Sequence, residues 1–316
     1  MRVAVFGAGA IGAYFGARLA DGGADVHLIA RGRHLDALQS SGLTIVAPEA
    51  TVTRKLPATG NPAAVGPVDV VLFCVKSYDT DAAARRLGPL LREGTGVVSL
   101  QNGIDNEDRI AAAIGWPHVL GGAAYILGAI REPGVVTVAG PRKIVLGEWS
   151  GGPPSRRVRA ILEVAERAGL SAEASEDVRV AKWEKYTLLA AFSAMSATTR
   201  LPIGDIRRAP AAVAMLWAMM GEVWAVGRAI GVALADDLVE RQFNLLGDQT
   251  DDATASLYHD LITGHRVEVE ALQGAVVRLG RANGVPTPFL DASYAILQPW
   301  AIRNDQRPED RSPIPH

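Results

Sequence analysis

The chain has 316 residues, 48% of them hydrophobic, a formal net charge of -2, and Cys74 as its single cysteine. That length and apolar content suit two moderate cores, and a near-neutral balance gives no electrostatic case for nucleic acid or an anionic membrane as partner. One cysteine excludes an intrachain disulfide and a cysteine-based metal cluster, which suits a reducing cytoplasm.

From Met1-Arg2 the chain runs straight into Val3–Phe6 and Gly7, too short and too soon glycine-rich for a signal peptide. Val3–Phe6 is predicted as the first strand, Ile11–Ala20 as the first helix and Val26–Ala30 as the second strand. Asp69–Val75 and Gly96–Leu100 are further β-branched runs, ending in Lys76-Ser77 and Gln101-Asn102-Gly103. The runs Val119–Ala124, Val135–Val138 and Ile144–Leu146 lie closer together, joined by Pro-Gly and Gly-Pro turns, and read as an antiparallel extension. A helix near Ser155–Ala168 closes this half. From about Glu176 helical periodicity takes over, with helices expected at Asp177–Thr198, Ala211–Ile230, Asp236–Leu246, Ala253–Asn283 and Pro288–Ile302. The fold class is therefore α/β: a Rossmann-type parallel-sheet domain over 1–175, then an all-α domain over 176–303. Residues 304–316, with three prolines and several charges, read as a disordered tail. Apolar stretches such as Ala211 to Trp217 fall short of a membrane span, so the chain reads as soluble and cytoplasmic. The apolar face over Ala211–Trp224 suits either a domain core or a homodimer interface.

Gly7-Ala8-Gly9-Ala10-Ile11-Gly12 is a GxGxxG with a strand before it and a helix opening at Ala10, the context a dinucleotide loop requires. The first glycine permits the turn, the second lets the pyrophosphate approach the backbone, and the third lets helix pack on strand. Free N–H groups at the helix start then face the phosphates. An NAD site usually carries Asp or Glu at the end of the second strand, whereas here the strand ends in Arg31-Gly32-Arg33-His34. A carboxylate would repel a 2′-phosphate and Arg31 can grip it, with Arg33 or His34 assisting, so NADP(H) is the expected cofactor. The six histidines form no ligand-spaced cluster with carboxylates, which disfavours a metal.

Ligands of open α/β sheets lie beyond the carboxyl ends of the strands, where Lys76 and Asn102 stand at parallel positions. In the helical half, Lys185 lies among aromatic and aliphatic neighbours and shares a helix face with Leu189, Ser193 and Ser196. Such a lysine either snorkels to water or is desolvated, with a lowered pKa suited to proton donation. Lys182 reads as the surface member of the pair. Ser256 to Glu270 is expected on one long helix rich in polar residues.

Taken in order, these residues resemble the ketopantoate reductase (2-dehydropantoate 2-reductase) family. The resemblance rests on Gly7–Gly12, Arg31, Val75-Lys76-Ser77, Gln101-Asn102-Gly103, Trp183-Glu184-Lys185, Leu201-Pro202-Ile203-Gly204, and the run from Ser256 through Asp260, Gly264 and Glu268 to Gly274. It implies that Lys185 is the proton donor to the substrate carbonyl and Glu268 the acid paired with the active site. Ser256 would help hold the substrate carboxylate, and Lys76 and Asn102 would contact the nicotinamide side and the substrate. Where the family carries asparagines one and two turns after the lysine, this chain has Leu189 and Ser193, the latter kept among the substrate-binding positions. A third asparagine is replaced by Ile203. The implied reaction is NADPH-dependent reduction of a 2-keto acid, 2-dehydropantoate to pantoate in pantothenate biosynthesis. The alternatives are a paralogous reductase with a less polar 2-keto acid and a non-catalytic NADP-sensing protein.

Overall fold

A computed structural model describes residues 1–306. The tail expected over 304–316 lies outside the described residues from 307 onward, and its first two residues end the last helix. Contacts divide the chain into two compact units, one of residues 1–101 with 105–181, the other of 102–104 with 182 onward.

In chain order the strands are β1 (Arg2–Phe6), β2 (Asp25–Ile29), β3 (Leu43–Val46), β4 (Thr51–Arg54), β5 (Ala58–Thr59), β6 (Val70–Phe73), β7 (Gly96–Ser99), β8 (Val119–Glu132), β9 (Val135–Glu148) and β10 (Ser171–Ala174). They form one sheet in the order β4-β3-β9-β8-β7-β6-β1-β2-β5, with β10 paired to β9. The helices of this unit are α1 (Ala10–Asp21), α2 (Gly32–Ser40), α3 (Thr80–Ala84), α4 (Asn106–Ile114) and α5 (Arg156–Arg167). β1 is flanked in parallel by β2 and β6, and after Arg2 its residues are apolar because both faces are covered. Val3 and Val5 enter one core with Phe15, Leu19 and Leu28, while Ala4 and Phe6 enter the opposite one with Phe73, Leu87 and Ile110.

The antiparallel extension is present, but its strands are longer than predicted. The runs Val135–Val138 and Ile144–Leu146 are one 14-residue strand, not two. Gly140-Pro141-Arg142, read as a turn, is absorbed as a bulge. The register moves from Tyr125↔Lys143 to Leu127↔Ala139, with Gly140 at φ 78 and Arg142 at φ 52.

The second unit is helical, and no described residue after Ala174 is in a strand. It comprises α6 (Val178–Thr199, from Lys182 on), α7 (Ile203–Arg207), α8 (Pro210–Ala229), α9 (Leu238–Gly247), α10 (Ser256–Ile262), α11 (Ala275–Ala282) and α12 (Pro288–Asp305). The single helix expected over Ala253–Asn283 is broken. Gly264, at φ 75, ends α10, and after a non-helical stretch a π-helical turn over Glu270–Gly274 leads into α11. Hence Ser256 and Glu268 sit on separate elements. α8 also departs from expectation: by length and composition it is long and apolar enough to cross a membrane. Here it carries core residues, Met219, Met220, Val223 and Val226, and packs with α9, α11 and α12.

On α8 the buried Glu222 carboxylate accepts the backbone N–H groups of Phe289 and Leu290, each at 2.9 Å, and so caps the start of α12 from another helix. Burial raises its pKa against the pull of those two amides. Glu222→Ala is expected to lose about 1–3 kcal/mol of stability by leaving both amides unpaired. Glu222→Gln, with one acceptor oxygen in place of two, should fall between, and thermal denaturation of the two variants checks this.

Candidate active site

Gly7, at φ 95, turns the chain out of β1, and the N–H groups of Gly7 and Ala8 donate to Ile29 O at 3.1 and 3.0 Å. The three glycines of the loop have different surroundings. A Cβ on Gly7 would meet Val75 N at 2.7 Å, and one on Gly12 would meet Gly7 O at 2.5 Å and Val5 Cγ1 at 2.8 Å. Those two are closed by the fold. A Cβ on Gly9 would meet nothing within 4 Å. Gly9 is also the N-cap of α1 and makes no side-chain cap, so the first-turn N–H groups of Ala10, Ile11 and Gly12 face that opening. A diphosphate fits such a place by charge and by space.

Arg31 is the N-cap residue of α2, at the end of β2, where no acid stands. Its guanidinium is 80% exposed and pairs with Asp79 at 2.9 Å, an acidic neighbour that the linear sequence does not announce. So exposed a guanidinium holds its ion pair weakly and can turn to a phosphate at little cost.

His34 does not belong with Arg31 as a phosphate ligand, contrary to the expectation above. Its Nδ1 accepts the Gly134 N–H at 3.1 Å, which leaves the ring proton on Nε2 to bind Ala8 O at 2.8 Å. Burial outweighs the bond to Ala8 and lowers the pKa, so the ring is neutral. The side chain thus clamps the dinucleotide loop to the β8–β9 turn. His34→Ala should raise the KM for the nicotinamide nucleotide about fivefold, the worth of one such bond, with little change in kcat. Steady-state kinetics at saturating second substrate would show the split.

Lys76 leaves β6 on a loop held by a buried polar network. Gln101 Nε2 donates to Val75 O at 2.9 Å and to Thr80 Oγ1 at 2.7 Å, and Thr80 donates to Asn106 Oδ1 at 3.1 Å. Ser99 Oγ completes the set by donating to Gln101 Oε1 at 3.3 Å. Arg109 forks onto Asp81 and also donates to Ser77 O at 2.9 Å. Gln101 was legible only as part of a motif; the signal for its role is an amide placed directly after an apolar strand.

In the helical unit, Lys185 Nζ donates to Asn102 Oδ1 at 2.9 Å. Residues 102–104 group with this unit although their neighbours on either side do not. Burial, reinforced by the like charge of Lys182, brings the Lys185 pKa down to about 7 against the opposing charge of Glu268. Lys182, expected at the surface, is 4% exposed. The correction is geometric, because residues three apart on a helix are only about 60° apart in azimuth and share a face. Glu268 is buried just before the π-helical turn. Ser193 is fully enclosed and its hydroxyl has no hydrogen-bond partner. Ser256 opens α10 and is exposed, with Ala255 N–H donating to Ser196 Oγ at 3.4 Å. The structure therefore joins Asn102, Lys185 and Glu268 and puts the two serines in contrasting settings.

Residues 3–151 match the family described as Ketopantoate reductase PanE/ApbA, and residues 177–301 match its C-terminal counterpart. The chain belongs to the ketopantoate reductase family. It is 31% identical to a 2-dehydropantoate 2-reductase of Mesorhizobium japonicum, covering 96% of this chain and 98% of that one. A PanE/ApbA family ketopantoate reductase from Ralstonia eutropha JMP134 superposes with a TM-score of 0.89 at 34% identity, covering 97% of this chain and all of that one. D-mandelate dehydrogenase, solved with NADH and anilino(oxo)acetate, shares the fold with a TM-score of 0.87 at 21% identity and 97% coverage of this chain. Membership makes this ketopantoate reductase homologue a nicotinamide-dependent oxidoreductase.

Proposed function

We propose that the chain reduces a 2-keto acid to the 2-hydroxy acid with NADPH, and that 2-dehydropantoate is its substrate. The observation that carries this is the Lys185–Asn102 pair: an ammonium held at 2.9 Å from an amide oxygen, with a pKa brought to about 7. A lysine so tuned gives up its proton readily near neutral pH, as a general acid at a developing alkoxide must. Asn102 Oδ1 is engaged by that ammonium, so the amide NH2 is the end of the side chain assigned to orienting the substrate. Ser256, exposed at the start of α10, offers a hydroxyl for a carboxylate. Bound NADPH supplies the hydride. The cytoplasm, where both small molecules are soluble, is the location that fits this reading.

Arg31 supports NADPH over NADH, since its guanidinium stands at the end of β2 in place of an acid. Arg31→Ala is expected to raise the KM for NADPH about tenfold and leave that for NADH unchanged, the loss of one charge-assisted contact. The primary test is NADPH oxidation with 2-dehydropantoate beside a panel of 2-oxo acids, repeated with NADH.

A second reading, a less polar 2-keto acid, is favoured by one observation. Of the positions facing along α6 from Lys185, Leu189 is half-buried and apolar while the Ser193 hydroxyl is fully enclosed. Ile203, likewise apolar, is fully buried, with its N–H given to Ala253 O at 2.9 Å. A negligible kcat/KM for 2-dehydropantoate, beside a high value for a branched or aromatic 2-oxo acid, would select it. The reading as a non-catalytic sensor gains nothing from the site, because binding alone has no use for a lysine poised near neutrality.

A further inference from the structure

Tyr186 follows Lys185 and has no part in the chemistry just proposed, yet it is among the largest fully buried side chains of the molecule. Its ring packs edge-on against Trp183 with centroids 5.9 Å apart, and its hydroxyl reaches across to the π-helical turn. There it donates to Ala271 O at 3.0 Å and also contacts Leu272 O. The same two residues are held from the other side, since the N–H groups of Ala271 and Leu272 donate to the backbone carbonyl of Glu268 at 3.2 and 3.0 Å. One turn further along α6, Ala190 O accepts from Gln273 Nε2 at 3.0 Å, a second tie between the same segments.

A π-helical turn shifts each amide donor one residue along, so carbonyls where it rejoins an α-helix lose their usual partner. A buried carbonyl in that state needs a donor from outside the helix. Phenylalanine would fill the space of Tyr186 equally well, so the hydroxyl has a purpose apart from packing. We propose that Tyr186 is a positioning residue, which fixes the turn that follows Glu268 to the part of α6 that carries Lys185. The turn cannot slide without breaking the bonds to Ala271 and Leu272, so Glu268 keeps a set distance from the lysine.

The charged groups that act on Lys185 are Lys182, from its own helix, and Glu268, two residues before the turn. Glu268 supports the ammonium form, so a loosened turn lowers the Lys185 pKa. This rests on the reading of Lys185 as proton donor, but its test needs no turnover. The chain has five lysines, so protein labelled with 13Cε,15Nζ-lysine gives five side-chain signals, with Lys185 assigned by its loss in Lys185→Met. Tyr186→Phe should lower the Lys185 titration midpoint by about half a pH unit or more, in the same direction as Glu268→Gln. The double variant should match Glu268→Gln alone, because both changes act through one carboxylate. An unmoved midpoint in Tyr186→Phe overturns the proposal, as does a shift that adds to that of Glu268→Gln. Thermal denaturation cannot mimic the expected result, since lost packing lowers Tm without moving one lysine's titration.

Discussion

Lys185→Met is expected to reduce kcat for 2-keto acid reduction by about 10²–10⁴-fold, the usual worth of a positioned general acid. The KM for the nicotinamide nucleotide should hold, because the nucleotide loop belongs to the other unit. Methionine preserves the length and apolar stem of lysine and removes the proton and the bond to Asn102 Oδ1. Lys185→Arg should be poor too, since a guanidinium stays protonated at any working pH and yields no proton. The pH dependence has a definite sign. Burial and Lys182 depress the Lys185 pKa to about 7, so the ammonium form is present below that value and lost above it. Reduction should therefore fall about tenfold per pH unit on the alkaline side of 7, while oxidation of the hydroxy acid, which needs the free amine, should rise through the same midpoint. A kcat/KM profile flat from pH 6 to 9 would remove Lys185 from the chemistry.

The second large effect separates two glycines of one loop. Gly12→Ala forces a methyl against Gly7 O and Val5, both backbone or core atoms with no freedom to move. It should cost about 1–3 kcal/mol of stability, seen as a lower Tm whether or not nucleotide is present. Gly9→Ala puts its methyl into open space, so the apo-protein should melt as the wild type does. That methyl occupies the place where phosphate must approach the start of α1, and nucleotide affinity should drop at least about tenfold, roughly 1.4 kcal/mol. Calorimetric titration of both variants with NADPH, beside their melting curves, checks the contrast. Normal affinity in Gly9→Ala would mean that the diphosphate lies elsewhere.

The dinucleotide loop was readable from sequence because it depends on local order alone: β1, three glycines and α1 all lie within Arg2–Asp21. Lys185 was readable as a lysine among apolar neighbours on a long helix. What escaped were interactions that periodicity cannot carry. His34 is a basic residue beside two arginines, and its role appears only with Gly134 in place across the sheet. Gly140-Pro141 has the composition of a turn, yet pairing with β8 converts it into a bulge, a case where long-range hydrogen bonding overrides local propensity. Over Ala253–Asn283 the apolar spacing is helical on both sides of Gly264, and the break depends on one residue at positive φ. Asp79 beside Arg31 is likewise a product of chain crossing, not of spacing.

The order of the strands bears on how the chain is made. β3 and β4 leave the ribosome early, but the neighbour of β3 is β9, through pairs such as Thr44↔Val135. Until then they are a lone two-stranded ribbon, which has little stability in water. The clamp on the nucleotide loop waits for the same event, since His34 and Gly134 stand 100 residues apart. A nascent chain that has completed β1, α1 and β2 thus has the glycine motif without the means of holding it still. Competence to bind nucleotide should arrive late, together with the hairpin, and bound nucleotide then stabilises only chains whose sheet is complete.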